Sequence, residues 1–253
     1  MEVEVEVVNL FKSFRGGRDE VLKGMSVHFP KGKLTYILGP SGTGKSVLIK
    51  HILGLLKPDR GQILIDQRDI TTLSEKELTQ IRLKIGVLFQ NSALFDDKTV
   101  FENVAFPLRE HGNFTENEIL ERVKRTLSLL GMREGYDKYP NEISGGMKKR
   151  VGLARAIIAE PALLLYDEPT TGLDPITRIT VDDLIATVKR ELKTTSIVIS
   201  HDIPAALHLA DQIVFLSGGK VAFCGSAADL KKCQHESVVG FLEAERRTVE
   251  ALS

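Results

Sequence analysis

The sequence predicts an α/β fold: a mostly parallel sheet covered by helices, preceded by an antiparallel β layer and interrupted by a helical insertion. Three observations lead there. The runs Leu34–Leu38, Leu163–Tyr166 and Ser196–Ser200 are short and continuously apolar or nearly so, as strands buried on both faces are. Helical patterns lie between them, and strands alternating with helices require crossover connections and a parallel sheet. In front stands an alternating segment, Val3, Val5 and Val7 against Glu2, Glu4 and Glu6, with the period of a half-buried strand.

Taken in order, the first 14 residues form that strand, at a sheet edge or in an antiparallel layer. Residues 15–19 (RGGRD) turn, Val21–Phe29 extends, and Pro30-Lys31-Gly32 turns again before Leu34–Leu38. A Gly-rich loop leads into a helix from about Lys45 to Leu56, with Val47, Leu48, Ile52 and Leu55 as its apolar stripe. Gly61–Ile65 is a strand. Ser74 with Glu77 opens a helix to about Lys84, and Ile85–Phe89 is the next strand. From Asn91 to about Glu160 no convincing strand occurs. Thr115 with Glu118 caps a helix carrying Ile119, Leu120, Val123, Leu127 and Leu130 on one face and Gly131 at its end. Ser144 to about Ala159 is a further helix. This block reads as a lobe inserted into the α/β domain. The pattern resumes at Leu163; Asp174-Pro175 starts a helix to about Leu192. Ile203–Ala210 is a short helix, Gln212–Leu216 and Lys220–Cys224 flank a Ser217-Gly218-Gly219 hairpin turn, and Ser226–Lys232 is helical. The tail places Phe241, Leu242, Val249 and Leu252 at helical spacing. Its stripe packs either on its own domain or on another chain.

Composition removes several classes. The chain has 253 residues, enough for a core without disulfides or metals. Lys plus Arg and Asp plus Glu both number 34, and this balance argues against sequence-wide attraction to nucleic acid or an anionic bilayer. Two cysteines make neither a disulfide framework nor a zinc site and suit a reducing compartment. The acidic, alternating N-terminus lacks the form of a secretory signal, and no segment has the length and apolarity of a membrane span. Membrane work would require docking onto another subunit.

Ligands of open parallel sheets bind at the carboxyl ends of the strands, where four polar clusters fall. Gly39, Pro40, Ser41, Gly42, Thr43, Gly44, Lys45 and Ser46 match G-x-x-x-x-G-K-[ST] between a strand and a helix. Glycines let backbone N–H groups converge on phosphate oxygens, and the helix adds the positive end of its dipole. In such a loop Lys45 would neutralise the β- and γ-phosphates and Ser46 would ligate Mg²⁺. Asp167-Glu168 ends an apolar strand, so Asp167 can hold Mg²⁺ through water and Glu168 can orient the attacking water. Ser144, Gly145 and Gly146 open a helix and read, taken singly, as an ordinary capped helix with a Gly turn, but beside a phosphate loop also as a second anion-binding terminus. A second anion site on a separate lobe suggests that another copy of the chain supplies it. Taken singly, Gln90 reads as well as a polar strand end, His201 as an ordinary histidine, Phe14 as core, and Lys148-Lys149-Arg150 as a solvated face.

Together these motifs resemble the ATP-binding cassette (ABC) ATPases over almost the whole chain. The phosphate loop, a glutamine loop at Gln90, the signature Ser144-Gly145-Gly146-Met147, the strand LLLYDEP (Leu163–Pro169), the loop Thr171-Gly172-Leu173-Asp174 and His201 stand in family order. The resemblance implies a RecA-like P-loop core at 1–90 and 161–235, a helical subdomain at about 91–160, one domain over 1–240, and a helical tail at 237–253. It implies that Phe14 stacks on adenine, that Val47 adjoins the nucleotide, and that Lys45 and Ser46 hold phosphate and Mg²⁺. Gln90 would sense Mg²⁺ and the water, Asp167 would support the metal, Glu168 would act as general base or water-orienting group, and His201 would contact the γ-phosphate. Ser144, Gly145, Gly146 and Asp174 would act in trans on the ATP of a second protomer. Met147 departs from the family's usual Gln, Ile143 from Leu, and Phe14 from Tyr; stacking needs only the ring face.

Residues 88–111 and 144–150 look most like the ATPases of Mla-type phospholipid-transport systems associated with MCE-domain proteins. That implies a homodimer on the cytoplasmic face of a bacterial inner membrane. Its partners would be two permease subunits, an MCE-domain protein and a small accessory subunit. Leu94, Phe95, Val100, Phe101 and Phe106 would lie where such ATPases receive the permease. An importer of small polar solutes would share the six motifs and differ there. A soluble non-transport cassette would carry coiled-coil insertions or two fused cassettes, which this chain lacks.

Overall fold

The computed structural model describes residues 3–250, with the backbone alone from 245 onward. Strands β1 (Val5–Phe14) and β2 (Asp19–Phe29) pair antiparallel, Val5 opposite Phe29 and Phe14 opposite Asp19. Val3, Val5 and Val7 are buried and Glu6 is exposed, as the alternation requires. β3 (Leu34–Leu38) is buried at every position and feeds α1 (Lys45–Ile52). β4 (Arg60–Ile65) and β5 (Arg68–Asp69) return to the first layer, giving the antiparallel order β2-β1-β4-β5. α2 (Glu75–Arg82), opened by the Ser74/Glu77 capping box, precedes β6 (Ile85–Leu88).

Three helices follow: α3 (Val100–His111), α4 (Glu116–Leu129) and α5 (Gly145–Ile157). Then come β7 (Leu163–Asp167), α6 (Pro175–Leu192), β8 (Thr195–Ile199), α7 (Ile203–Leu209), β9 (Gln212–Ser217), β10 (Lys220–Gly225), α8 (Ala227–Leu230) and α9 (Glu236–Glu250). The second sheet has the order β10-β9-β3-β8-β7-β6. It is parallel from β9 to β6, with β10 antiparallel at one edge.

This sheet separates two cores, which is why its central strands are largely apolar, although Thr35, Thr195 and Ser196 are polar residues buried within them. Tyr36, Tyr166, Val198 and Phe215 face α3 to α7. Ile37, Leu165, Ile197 and Val214 face α1 and the antiparallel layer. Phe241 stacks edge-on against Phe215 at 5.2 Å and Val238 is fully buried, so the start of α9 packs on its own domain. The side chain of Val249 and the whole of Leu252 lie outside the described residues.

Three expectations need correction. Helix α1 ends at Ile52 and not near Leu56: Gly54 takes φ +64°, and Leu55 projects outward at 56% exposure and forms no part of the apolar stripe. Helix α3, unassigned from the pattern, is opened by a Thr99/Glu102 capping box and carries Pro107 inside it. Lys148-Lys149-Arg150 is not a solvated face. Lys149 is buried and donates to the Gln90 carbonyl, and Arg150 Nη1 donates to the Leu130 carbonyl at 2.9 Å.

Candidate functional site

Strands β3, β8, β7 and β6 are consecutive in the sheet, and their carboxyl ends present Gly39–Ser46, His201, Asp167-Glu168 and Gln90 in a row. The phosphate loop starts at Gly39 with φ +140°; a Cβ there would stand 2.3 Å from the Leu216 carbonyl oxygen, so only glycine fits. Lys45 Nζ folds back onto the loop, donating to the carbonyls of Gly39 at 2.6 Å and Pro40 at 2.9 Å. Burial lowers its pKa, with Glu168 and Asp167 opposing. The ammonium is therefore desolvated and aimed along the cradle. Val47 follows on α1, half-buried.

Ser46 Oγ lies 3.4 Å from Asp167 Oδ1. A hydroxyl and a carboxylate converging at a strand end form a hard-oxygen pair that suits Mg²⁺. The Asp167 pKa is raised, first by burial and then by Glu168, with the Ser46 hydroxyl and the Lys50 and Lys45 ammonium groups opposing. Glu168 itself adopts φ +49°, a costly conformation for a glutamate, fixed by the bond from its N–H to the Ile199 carbonyl at 2.9 Å. That turn aims its carboxylate at His201. Oε2 accepts from Thr171 Oγ1 at 2.9 Å and lies 2.8 Å from His201 Nδ1. With Nδ1–H donating, His201 Nε2 is left open.

Gln90 is exposed just beyond β6, and its backbone is anchored from α5 by Lys149. Arg155, one turn and a half further along α5, donates to the Ser92 carbonyl at 2.8 Å. Ser92 and Ala93 both have positive φ, so the loop after Gln90 is held in a conformation it would not adopt alone. Sequence reasoning missed Lys149 and Thr171 as members of the site. Lys149 was legible: it continues the spacing of Gly152, Leu153 and Ala156 on the buried face of α5. Thr171 gave no signal beyond its place in the loop. Phe14 ends β1 as a residue 37% exposed, not in the core, with the Lys12 ammonium 5.7 Å from its ring centroid.

The remaining residues are not brought to this row. Ser144 N-caps α5 through Met147 N–H at 3.3 Å, and Asp174 N-caps α6 through Thr177 N–H at 3.0 Å; the Thr177 hydroxyl first and this N–H second hold the Asp174 pKa down. Ser144, Gly146 and Thr177 line a hollow of about 530 Å³ that none of residues 39–46 lines. A Cβ on Gly146 would meet Thr177 Cγ2 at 2.9 Å, so packing explains that glycine. A Cβ on Gly145 would meet nothing nearer than Leu173 at 3.9 Å. Among the described residues nothing requires glycine there.

A second groove, of about 920 Å³, runs between the sheet edge and α3–α5. Phe89, Phe95, Phe106, Arg155 and Pro161 are among the residues lining it. Phe95 and Phe106 pack at 4.8 Å within it. Val100 is core, and Leu94 and Phe101 pack against the core, so only part of the apolar set faces the groove. Among the described residues no helix is long and apolar enough to cross a membrane.

The ABC transporter family profile matches residues 22–171. The chain is 43% identical, over 95% of its length and 90% of the relative's, to the intermembrane phospholipid transport system ATP-binding protein MlaF of Haemophilus influenzae. It is 41% identical, over 97% of its length and 68% of the relative's, to the "Probable ribonucleotide transport ATP-binding protein mkl" of Mycobacterium tuberculosis. Among solved structures it is similar to the dimeric post-hydrolysis state of the ATP-binding cassette MJ0796 bound to ADP and Pi. The TM-score is 0.80 and the identity 33%, with 88% of this chain and 98% of that one covered.

Proposed function

The chain belongs to the ABC transporter family and is an ATPase, and from that premise we propose that it is the motor subunit of a bacterial phospholipid transporter. The observation that carries the substrate class is the match along nearly the whole chain to a phospholipid-transport ATPase.

In this reading the adenine stacks on Phe14, and the backbone of Gly39–Ser46, flanked by Val47, cradles the triphosphate. Lys45 exchanges its two carbonyl contacts for phosphate oxygens, for which its desolvated ammonium is well suited. Ser46 and Asp167 would hold Mg²⁺, Asp167 through water, and Gln90 would sense the ion and the attacking water. The metal, when bound, neutralises charge on the β- and γ-phosphates. Glu168 takes the proton of the attacking water. Its bonds from Thr171 and His201 fix the carboxylate, and His201 Nε2 faces the γ-phosphate.

The signature acts on the nucleotide of a second copy. Gly145, open on its outer side, leaves room for a phosphate to approach the N-terminus of α5 of the partner protomer. Asp174 sits at the N-terminus of α6 beside it and relays closure. ATP thus joins two chains, and hydrolysis releases them. Closure moves the groove between α3–α5 and the sheet edge, where a permease subunit docks. The assembly comprises two such chains, two permease subunits, an MCE-domain protein and a small accessory subunit. It sits on the cytoplasmic face of the inner membrane and reaches the bilayer only through the permease.

A second reading, a motor for a small polar solute, draws on the mycobacterial relatives named for ribonucleotide transport. Copurification of the chain with its membrane subunits separates the two. Bound phospholipid and ATPase activity stimulated by phospholipid vesicles are expected. Stimulation by a polar solute with none by phospholipid would reverse the ranking.

A further inference from the structure

The end of β1 is tied to the turn that follows α1. Lys12 Nζ donates to the Lys57 carbonyl at 2.8 Å and to Asp59 Oδ1 at 3.0 Å. The other carboxylate oxygen of Asp59 accepts from the Ser13 N–H at 2.6 Å, and the Asp59 N–H donates to the Phe11 carbonyl at 2.9 Å. Residues 11–13 are thereby held against residues 57–59 by main-chain and side-chain bonds together. The Lys12 side chain is only 17% exposed, and its ammonium also lies over the Phe14 ring. The β1–β2 ladder slips register between Lys12 and Ser13, so the hairpin alone does not fix the direction of Phe14. On the other side, residues 57–59 lie five residues past the end of α1, the helix that carries Lys45 and Ser46.

We infer that Lys12 and Asp59 form a clamp that sets the aromatic platform of Phe14 relative to the phosphate loop, and are positioning residues for nucleobase preference. The inference rests on Phe14 as the base platform. Stacking on an aromatic ring yields affinity only when the ring is already in place; a platform that must be ordered on binding loses that affinity to entropy. An ion pair at a half-exposed site contributes little to stability by itself. A carboxylate joining the backbone of one segment to the side chain of the same segment, and a lysine joining both to a third carbonyl, instead fixes geometry. The Lys12 cation near the ring restricts its tilt further.

The test compares binding of MgATP and MgUTP to the full chain in a Glu168→Gln background, which prevents turnover. The two nucleotides share ribose and triphosphate and differ in the stacking surface of the base. A preference for ATP of about tenfold is expected from stacking on Phe14, and Phe14→Ala should bring the ratio close to one. Lys12→Met and Asp59→Asn should do the same while leaving UTP affinity unchanged, and Lys12→Arg should keep the preference. If Phe14→Ala leaves the ratio intact, the base-platform reading fails and the clamp with it. If Phe14→Ala abolishes the ratio but Lys12→Met and Asp59→Asn preserve it, the clamp alone is overturned. Thermal melts report folding. Asp59 is 42% exposed at the surface, so its variant carries the test should Lys12→Met fail to fold.

Discussion

Replacing Glu168 with Gln separates catalysis from everything else at the site. Both donors that meet this side chain, Thr171 Oγ1 at 2.9 Å and His201 Nδ1 at 2.8 Å, point at one oxygen, Oε2. A glutamine can place its carbonyl oxygen there and keep both bonds. The carboxylate is 19% exposed, so the new amide N–H₂ can reach solvent and leaves no buried group unpaired. Folding and ATP binding should therefore persist, with an unchanged urea midpoint. What disappears is the base. Loss of a positioned general base costs about 10²–10⁴ in rate, or roughly 3–5 kcal/mol of barrier at 1.36 kcal/mol per decade. Steady-state phosphate release gives the rate, and light scattering in ATP gives the mass. Turnover within tenfold of the parent chain would mean that another group prepares the water, and the role assigned to Glu168 would be wrong.

Lys149→Met should free the Gln90 loop from α5 and lower kcat by about 10- to 100-fold with little change in KM for ATP, because it displaces a positioned group and not the phosphate grip; equal losses in both would count against it. Leu127→Ala removes a fully buried side chain between α4 and the core and should cost about 2–5 kcal/mol by urea denaturation. Asp182 is pushed up to about 7 by burial first, then by Asp202 and Asp183, with Arg178 opposing. Its proton is thus held more tightly in the fold than in the unfolded chain, so its contribution to stability falls as pH rises from about 4 to 7 and is flat above. Asp182→Asn should remove that slope and raise the urea midpoint at pH 8; an unchanged profile would refute the assignment.

How far the sequence announces this architecture depends on the element. β3, β7 and β8 are legible because burial on both faces leaves them short, largely apolar and free of charge in their interiors, and the phosphate loop because its glycines and lysine have no common packing reason to occur together. Four helices carry Ser or Thr caps followed three residues later by an acid. The box that opens α3 is as complete as the others. Its helix is obscured by Pro107, whose missing N–H argues locally for a break that the surrounding packing overrides. Asn103, fully buried within the same helix, donates to the carbonyls of Phe95, Lys98 and Thr99, and such a polar knot depends on tertiary neighbours. Lys149 was misread for the opposite reason: charge suggested solvent where the helical spacing pointed inward. The left-handed backbone of Glu168 has no local signature at all, since Ile199, on the neighbouring strand, supplies the acceptor that fixes it.

The dimeric ATP sandwich is tested most directly by crosslinking. Ser41 in the phosphate loop and Ser144 in the signature are both exposed. A Ser41→Cys/Ser144→Cys chain, with Glu168→Gln to stop turnover and Cys224→Ser/Cys233→Ser to remove the native thiols, should form a covalent dimer on oxidation only when ATP is present. A chain that stays monomeric in saturating MgATP, or that bridges the two cysteines within one subunit, would contradict the account.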